Sequence, residues 1–254
     1  MKFTKMHGIG NDFIVVDRIN NDYDADFCEL AKKQCDRNKG IGADGILLIE
    51  RSKKADAMMR LINADGSEAE MCGNGIRCVA KYVIDKNMAT SPVKINTLAG
   101  VMTIEQVGNN YKVDMGEGRL ESKITVNVNN KSYNAIKVDM GNPHATIFVD
   151  DFDFDWMAEG SVIENDPQFP NRTNVEFIKI ISPNELDVKV WERGAGATLA
   201  CGTGACASLV ATVSQNKCDR KATIHLRGGD LEIELKDNFV FMTGPATTVF
   251  EGEL

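Results

Sequence analysis

Met71-Cys72-Gly73-Asn74-Gly75 returns about half a chain length later as Ala200-Cys201-Gly202-Thr203-Gly204. A lone Cys-Gly-x-Gly means little, but here the flanks return in the same order. Gly10-Asn11-Asp12-Phe13-Ile14-Val15-Val16-Asp17 matches Gly141-Asn142-Pro143-His144-Ala145-Thr146-Ile147-Phe148-Val149-Asp150. A helix expected from Asp24 matches one expected from Asp155. Gly45-Ile46-Leu47-Leu48-Ile49 matches Val175-Glu176-Phe177-Ile178-Lys179-Ile180, and Met58-Met59-Arg60-Leu61-Ile62 matches Asp187-Val188-Lys189-Val190-Trp191. The repeat predicts two related halves, each of strands with a few helices.

Working outward, 93–97, 101–106, 111–115, 124–128, 133–139, 222–226, 231–235 and 240–243 are short and rich in β-branched or aromatic residues. Gly-Asn, Asn-Asn, Gly-Gly and Asp-Asn pairs punctuate them as turns. The expected fold is α+β (α/β): two similar domains, each a mostly antiparallel, barrel-like sheet wrapped around a central helix, with an active site in the cleft between them. The expected boundaries are 1–115, carrying Cys72, and 116–244, carrying Cys201, with 245–254 a candidate to return to the first domain.

Composition narrows the function. The 254 residues are 43% hydrophobic and 26% charged, with a formal net charge of −8 and a pI near 5.0. An acidic balance argues against a nucleic-acid or anionic-membrane partner, either of which wants a basic face. The uncharged stretch between Arg193 and Lys217 reads as a glycine loop feeding a buried helix rather than a membrane span. The first residues lack the apolar run of a secretion signal, so a cytoplasmic chain is expected. Seven cysteines with no Cys-x-x-Cys and only three histidines predict no structural zinc. Cys28, Cys35, Cys78, Cys206 and Cys218 read as small buried hydrophobes.

Cys72 and Cys201 read differently. In each half a strand ends, a glycine-rich loop follows, and the cysteine opens a helix. The first helix carries Ile76, Val79, Ala80 and Val83 at i, i+3, i+4 and i+7; the second is apolar almost all round, through Leu209, Val210, Ala211 and Val213. A helix N-terminus offers unpaired N–H groups and roughly half a positive charge, so it favours an anion and a thiolate. Two such ends facing one carboxylate, with a sulfur on each side of its α-carbon, could invert a stereocentre by two bases. A free cysteine pKa of ~8.5 keeps both protonation states within reach near neutral pH. Two redundant core cysteines, or a redox pair whose Cα atoms approach within ~7 Å, are the competing uses. A cysteine hydrolase gains nothing from duplication, and no Walker loop follows the glycines.

At these residues the chain closely resembles diaminopimelate epimerases. The likeness runs from Met6-His7-Gly8-Ile9-Gly10-Asn11-Asp12-Phe13 through Asn63-Ala64-Asp65-Gly66-Ser67 and Met71-Cys72-Gly73-Asn74-Gly75-Ile76-Arg77-Cys78. It continues through Gly141-Asn142-Pro143-His144, Arg172-Thr173-Asn174-Val175 and Glu192-Arg193-Gly194-Ala195-Gly196 to Ala200-Cys201-Gly202-Thr203-Gly204. The resemblance implies Cys72 and Cys201 as the acid–base pair and no cofactor or metal. It implies Gly73, Asn74, Gly202 and Thr203 around the reacting carboxylate, and Asn11, Asn63, Asn142, Asn174, Glu192 and Arg193 on the rest of an amino-acid substrate. His144 and Glu192 are implied beside the thiols, where they tune them. It further implies a homodimer and a role in lysine and peptidoglycan precursor synthesis. Some members carry a glutamine where this chain has Gly45, so contact there must come from backbone or water. A racemase for another amino acid, of histidine type, and a non-catalytic amino-acid-binding or redox-sensing protein are the alternatives.

Overall fold

The structure is a computed structural model that describes residues 1–129 and 131–254. Asn130, half of the expected Asn129-Asn130 turn, lies outside the described residues. Residues 1–113 with 244–254 form one compact unit and 114–243 the other.

In the first unit β1 (Lys2–Gly8) and β2 (Asn11–Asp17) form an antiparallel hairpin. Its turn residues Ile9 and Gly10 both take positive φ, 47° and 87°, which delivers Asn11 at a tightly defined strand start. β2 then pairs in parallel with β3 (Gly45–Glu50), and a parallel pair needs a crossover. α1 (Phe27–Gln34) makes it, starting where Asp26 accepts from the N–H groups of Cys28 and Glu29. β3 pairs antiparallel with β4 (Ala57–Asn63), and β4 with the two-residue β5 (Glu68–Ala69). A second parallel pair, β4 with β6 (Val93–Thr97), is crossed by α2 (Gly73–Asp85). β7 (Gly100–Val107) and β8 (Asn110–Glu117) continue as antiparallel neighbours.

The second unit repeats this order. β9 (Arg119–Val128) and β10 (Lys131–Asp139) are antiparallel, as are β10 and β11 (Pro143–Phe148). β11 pairs in parallel with β12 (Asn174–Ser182) across α3 (Trp156–Glu164), whose N-cap is Asp155. β12 and β13 (Glu185–Glu192) are antiparallel, β13 carries the short β14 (Gly196–Ala197), and α4 (Gly202–Ser214) crosses to β15 (Lys221–Leu226). β16 (Gly229–Lys236) and β17 (Phe239–Pro245) complete it. In the first unit the counterpart of β9 is β18 (Thr247–Glu253), which pairs with β1. The end of the chain therefore closes the sheet that the start opens.

Each cysteine-led helix is enclosed by strands of its own unit. Ile76, Val79, Ala80 and Val83 of α2 are fully buried, and α4 is buried continuously from Gly204 to Thr212. α1 packs outside, with Phe27, Ala31 and Cys35 joining Phe3, Ile14, Ile46 and Leu48 in one cluster. Trp156 and Ile163 of α3 join Val175 and Phe177 in the equivalent one. No helix among the described residues is long and apolar enough to cross a membrane. None of the seven cysteines is in a disulfide.

Candidate active site

The functional cysteines are the N-caps of the two enclosed helices. Cys72 has φ −142° and ψ 120°, and Cys201 φ −119° and ψ 110°. Extended backbone at this position turns each side chain back over its helix, where serine or aspartate usually sits. The Gly75 N–H donates to Cys72 Sγ at 3.4 Å and the Gly204 N–H to Cys201 Sγ at 3.3 Å. A cap that accepts from the first turn is favoured as the anion, because helix N–H groups and dipole both stabilise negative charge there.

In the first unit the Cys72 thiol donates to Asn11 Oδ1 at 3.5 Å, and Asn74 Nδ2 donates to the same oxygen at 3.1 Å. Asn11 Nδ2 donates to Asp44 Oδ2 at 2.6 Å, so the amide is clamped on both sides. Asp44 also receives Arg37 Nη2 at 2.8 Å, and Asp12 lies between Lys5 and Arg37 at 2.6 and 2.7 Å. Burial opposes the Asp12 charge, but hydrogen bonds and charge from Arg37 and Lys5 outweigh it and hold its carboxyl below the usual range. Beneath them, fully buried Arg77 donates from Nη1 to Gly73 O at 3.1 Å and from Nη2 to Asn74 Oδ1 at 3.0 Å. Asn63 stands at the end of β4 and donates to Ser67 Oγ at 3.0 Å, holding the 63–67 turn. Gly45, its register partner, has a steric reason: a Cβ there would lie 2.7 Å from the Ile62 carbonyl oxygen.

In the second unit Cys201 is buried and its sulfur lies 3.6 Å from Thr203 Oγ1. Burial, then the charges of Glu192 and Glu176, push its thiol well up, against the hydrogen bonds of Thr203 and the Gly204 N–H. Glu192 is pushed up too, chiefly by burial, against hydrogen bonds from Thr198 and Cys201. His144 is buried with Nδ1 2.7 Å from Glu176 Oε1 and Nε2 3.0 Å from Asn142 Oδ1. Asn142 Nδ2 in turn donates to Thr203 Oγ1 at 3.3 Å. Asn174 donates to Pro143 O at 2.9 Å and accepts from the Arg193 backbone N–H at 3.0 Å, so its amide binds two loops together. Arg193 Nη1 donates to Asn171 O at 3.2 Å. Glu164 shapes the same loop by accepting from the Gly194 N–H at 2.8 Å and Trp191 Nε1 at 2.7 Å.

Asn11, Gly73 and Asn74 thus gather around Cys72, while Glu192, Thr203 and, through Asn142, His144 gather around Cys201. Asn63, Asn174 and Arg193 stand on adjoining loops of their own units. Asp44, Arg77, Glu176 and Thr198 were not legible as site residues. The one available signal was the repeat, which sets Glu176 against an apolar leucine. Among the described residues no group of three or more His, Cys, Asp or Glu side chains is arranged to hold a metal ion.

Two like units, each enclosing a helix, form a fold that recurs in solved proteins of very different sequence. The fold matches a hydroxyproline epimerase from Agrobacterium vitis with bound trans-4-hydroxy-L-proline, at 14% identity and a TM-score of 0.75 over 99% of this chain and 91% of that one. It also matches a Bacillus anthracis phenazine biosynthesis protein of the PhzF family, at 14% identity and a TM-score of 0.77 over 100% and 98%. The profile of the Diaminopimelate epimerase family matches residues 3–121 and 136–249. The diaminopimelate epimerases of Desulfitobacterium hafniense and Methanococcus maripaludis are each 48% identical to this chain over all of its length, and over 98% and 99% of theirs. The chain belongs to the diaminopimelate epimerase family and is an isomerase.

Proposed function

We propose that this isomerase interconverts LL- and meso-diaminopimelate by moving a proton between two thiols, Cys72 and Cys201, on opposite faces of one α-carbon. The single observation that carries the reading is the doubled cap: each sulfur accepts the N–H three residues on in its own helix. One thiolate removes the α-proton while the opposite thiol returns one to the other face, so the reverse reaction exchanges their roles. The first-turn N–H groups of both helices take the substrate carboxylate as charge builds on it. Cys201, held as the thiol by burial and by Glu192, is suited to donate, and Glu192 beside it can accept its proton when it acts as base.

The distal end of the substrate falls to Arg193, whose fork matches a carboxylate, aided by Asn142 and Asn174 of its own unit and by Asn63 of the other. A role in lysine and cell-wall precursor synthesis supports a cytoplasmic location, and the family resemblance supports a homodimer, measurable by sedimentation. The test of the function is α-exchange. Reduced protein in D2O should wash deuterium into diaminopimelate with inversion, and not into histidine or proline. Exchange into either of those alone, or into none, refutes the assignment.

A further inference from the structure

The amide beside one thiol and the hydroxyl beside the other meet their sulfurs with hydrogen bonds of opposite direction, and the repeat locates the cause. Strand register sets Phe13 opposite Gly45 in the first unit and His144 opposite Asn174 in the second, so His144 occupies the place of Phe13 and Glu176 that of Leu47. The same replacement is visible from the helix side. A Cβ on Gly75 would meet Leu47 Cδ2 at 3.1 Å, whereas one on Gly204 would meet Glu176 Oε1 at 2.7 Å. Two apolar core residues have become a histidine and a carboxylate under the second cysteine alone. Packing does not ask for this, since leucine and phenylalanine fill the equivalent space. Nor is the carboxylate satisfied: Glu176 is fully buried and its Oε2 has no hydrogen-bond partner among the described residues. Such a group is destabilising unless it serves another purpose.

Its purpose is legible in the bonds. The His144 ring lies between Glu176 Oε1 at 2.7 Å and Asn142 Oδ1 at 3.0 Å, and an amide oxygen takes its hydrogen from Nε2. With Oδ1 taken by the ring, Asn142 points Nδ2 at Thr203 Oγ1, which leaves the Thr203 hydroxyl hydrogen for Cys201 Sγ. In the first unit Asn11, the counterpart of Asn142, has the opposite amide orientation: its Oδ1 accepts from Asn74 and from the Cys72 thiol. We propose that Glu176 is a positioning residue that fixes the direction of a relay, Glu176–His144–Asn142–Thr203–Cys201, so that Cys201 is presented with a hydroxyl donor in addition to the acceptor Glu192, while the matching amide presents Cys72 with an acceptor. The relay offsets the burial and carboxylates that oppose the Cys201 thiolate and keeps that form within reach. As the account of one cysteine in a two-thiol reaction, it rests on the reading above.

The test exchanges the pair for its first-half counterpart, His144→Phe with Glu176→Leu, in a Cys72→Ala background. Alkylation of Cys201 by iodoacetamide, followed by peptide mass spectrometry, reports its thiolate population. The exchange and Thr203→Val should each slow alkylation about tenfold, the worth of one hydrogen bond to a charged group, and together no more than either alone. If Glu176 acts only by charge, the exchange speeds alkylation, because a nearby carboxylate disfavours a thiolate; if the pair only packs, the rate stays put or the two effects add. Any of these overturns the relay. A second measurement needs no variant: 15N spectra of the histidine-labelled full chain should show N–H on His144 Nε2. A bare Nε2 in the parent protein overturns the relay equally. Neither readout needs turnover, so a chain that fails α-exchange refutes the reaction and leaves the relay to stand or fall separately.

Discussion

Arg77 donates from Nε to the carbonyl of Pro245 at 3.2 Å, tying the helix that Cys72 caps to the last stretch of the chain. The same guanidinium holds Gly73 O and Asn74 Oδ1, and Asn74 in turn braces Asn11 against the thiol. A fully buried fork with three protein acceptors is therefore both a structural bolt and the foundation of the first cysteine site. Gly8 makes room for it, since a Cβ there would lie 2.9 Å from Arg77 Nη2.

Arg77→Met should lower unfolding free energy by about 2–4 kcal/mol, the range for breaking a buried hydrogen-bond network. Arg77→Lys should recover little, because an ammonium cannot span three diverging acceptors. Urea denaturation of the three proteins decides this; a methionine variant as stable as the parent removes Arg77 from the framework.

Cys72→Ala and Cys201→Ala should each lower epimerisation by about 10²–10⁴-fold, the usual worth of a positioned acid or base. Inversion needs both a donor and an acceptor, so loss of either thiol stops it in both directions. Deuterium incorporation with chiral analysis checks this. Parent-like inversion in either variant would end the two-base reading.

The glycines after the two caps should not be equally replaceable. At Gly75 an added Cβ meets a leucine methyl at 3.1 Å, and that flexible end can give way. At Gly204 it meets the Glu176 carboxylate at 2.7 Å, held in place by His144. Gly204→Ala should therefore cost about 1–3 kcal/mol, in the range of overpacking, and Gly75→Ala less. Thermal melts that rank them the other way contradict the tight approach of Glu176 to α4.

Much of this is legible in the sequence. The repeat located both caps, both enclosed helices and the matched strands, because a duplicated chain prints each constraint twice. The helix expected from Asp24 begins after Asp26, since that aspartate accepts from Cys28 and Glu29 and sets the start. The strands missed are informative. Lys2–Gly8 buries polar Thr4 and Lys5 beside Phe3 and Met6, so no apolar alternation marks it. Residues 119–123 and 247–253 are mostly exposed, so they lack the apolar alternation that marks a half-buried strand. β5 and β14 are two residues each, too short for any period. In the site, capping and hydrogen-bond chemistry could be read from Cys72, Cys201, Asn11 and Thr203. Arg77 and Glu176 could not, because a charged residue on a buried face carries no sequence mark of which partners will satisfy it.

Arg193→Ala should raise the KM for diaminopimelate by about 10–100-fold, the worth of a charge-assisted contact, with a much smaller change in kcat. The loop should keep its shape, because the Arg193 backbone N–H, not its guanidinium, is what Asn174 holds. Unchanged saturation kinetics would take Arg193 out of substrate recognition.

Glu192→Gln should separate stability from activity, with a sign that depends on pH. Burial raises the Glu192 carboxyl in the folded chain above its value in the unfolded one. The stabilisation from that shift is fully present below the unfolded value, near 4.5, and is lost as pH rises through the folded value. At pH 7–8 the parent has therefore lost stabilisation that the neutral amide does not lose, while glutamine can still accept from Thr198. The variant should melt higher than the parent at pH 7–8 and lose that advantage near pH 4. Epimerisation should fall all the same, by about 10²-fold or more, because an amide cannot take the Cys201 proton. Paired melting curves and initial rates across this range decide it: a variant less stable at pH 8 than at pH 4, relative to the parent, would show that the Glu192 charge supports the fold and is not held there at its expense.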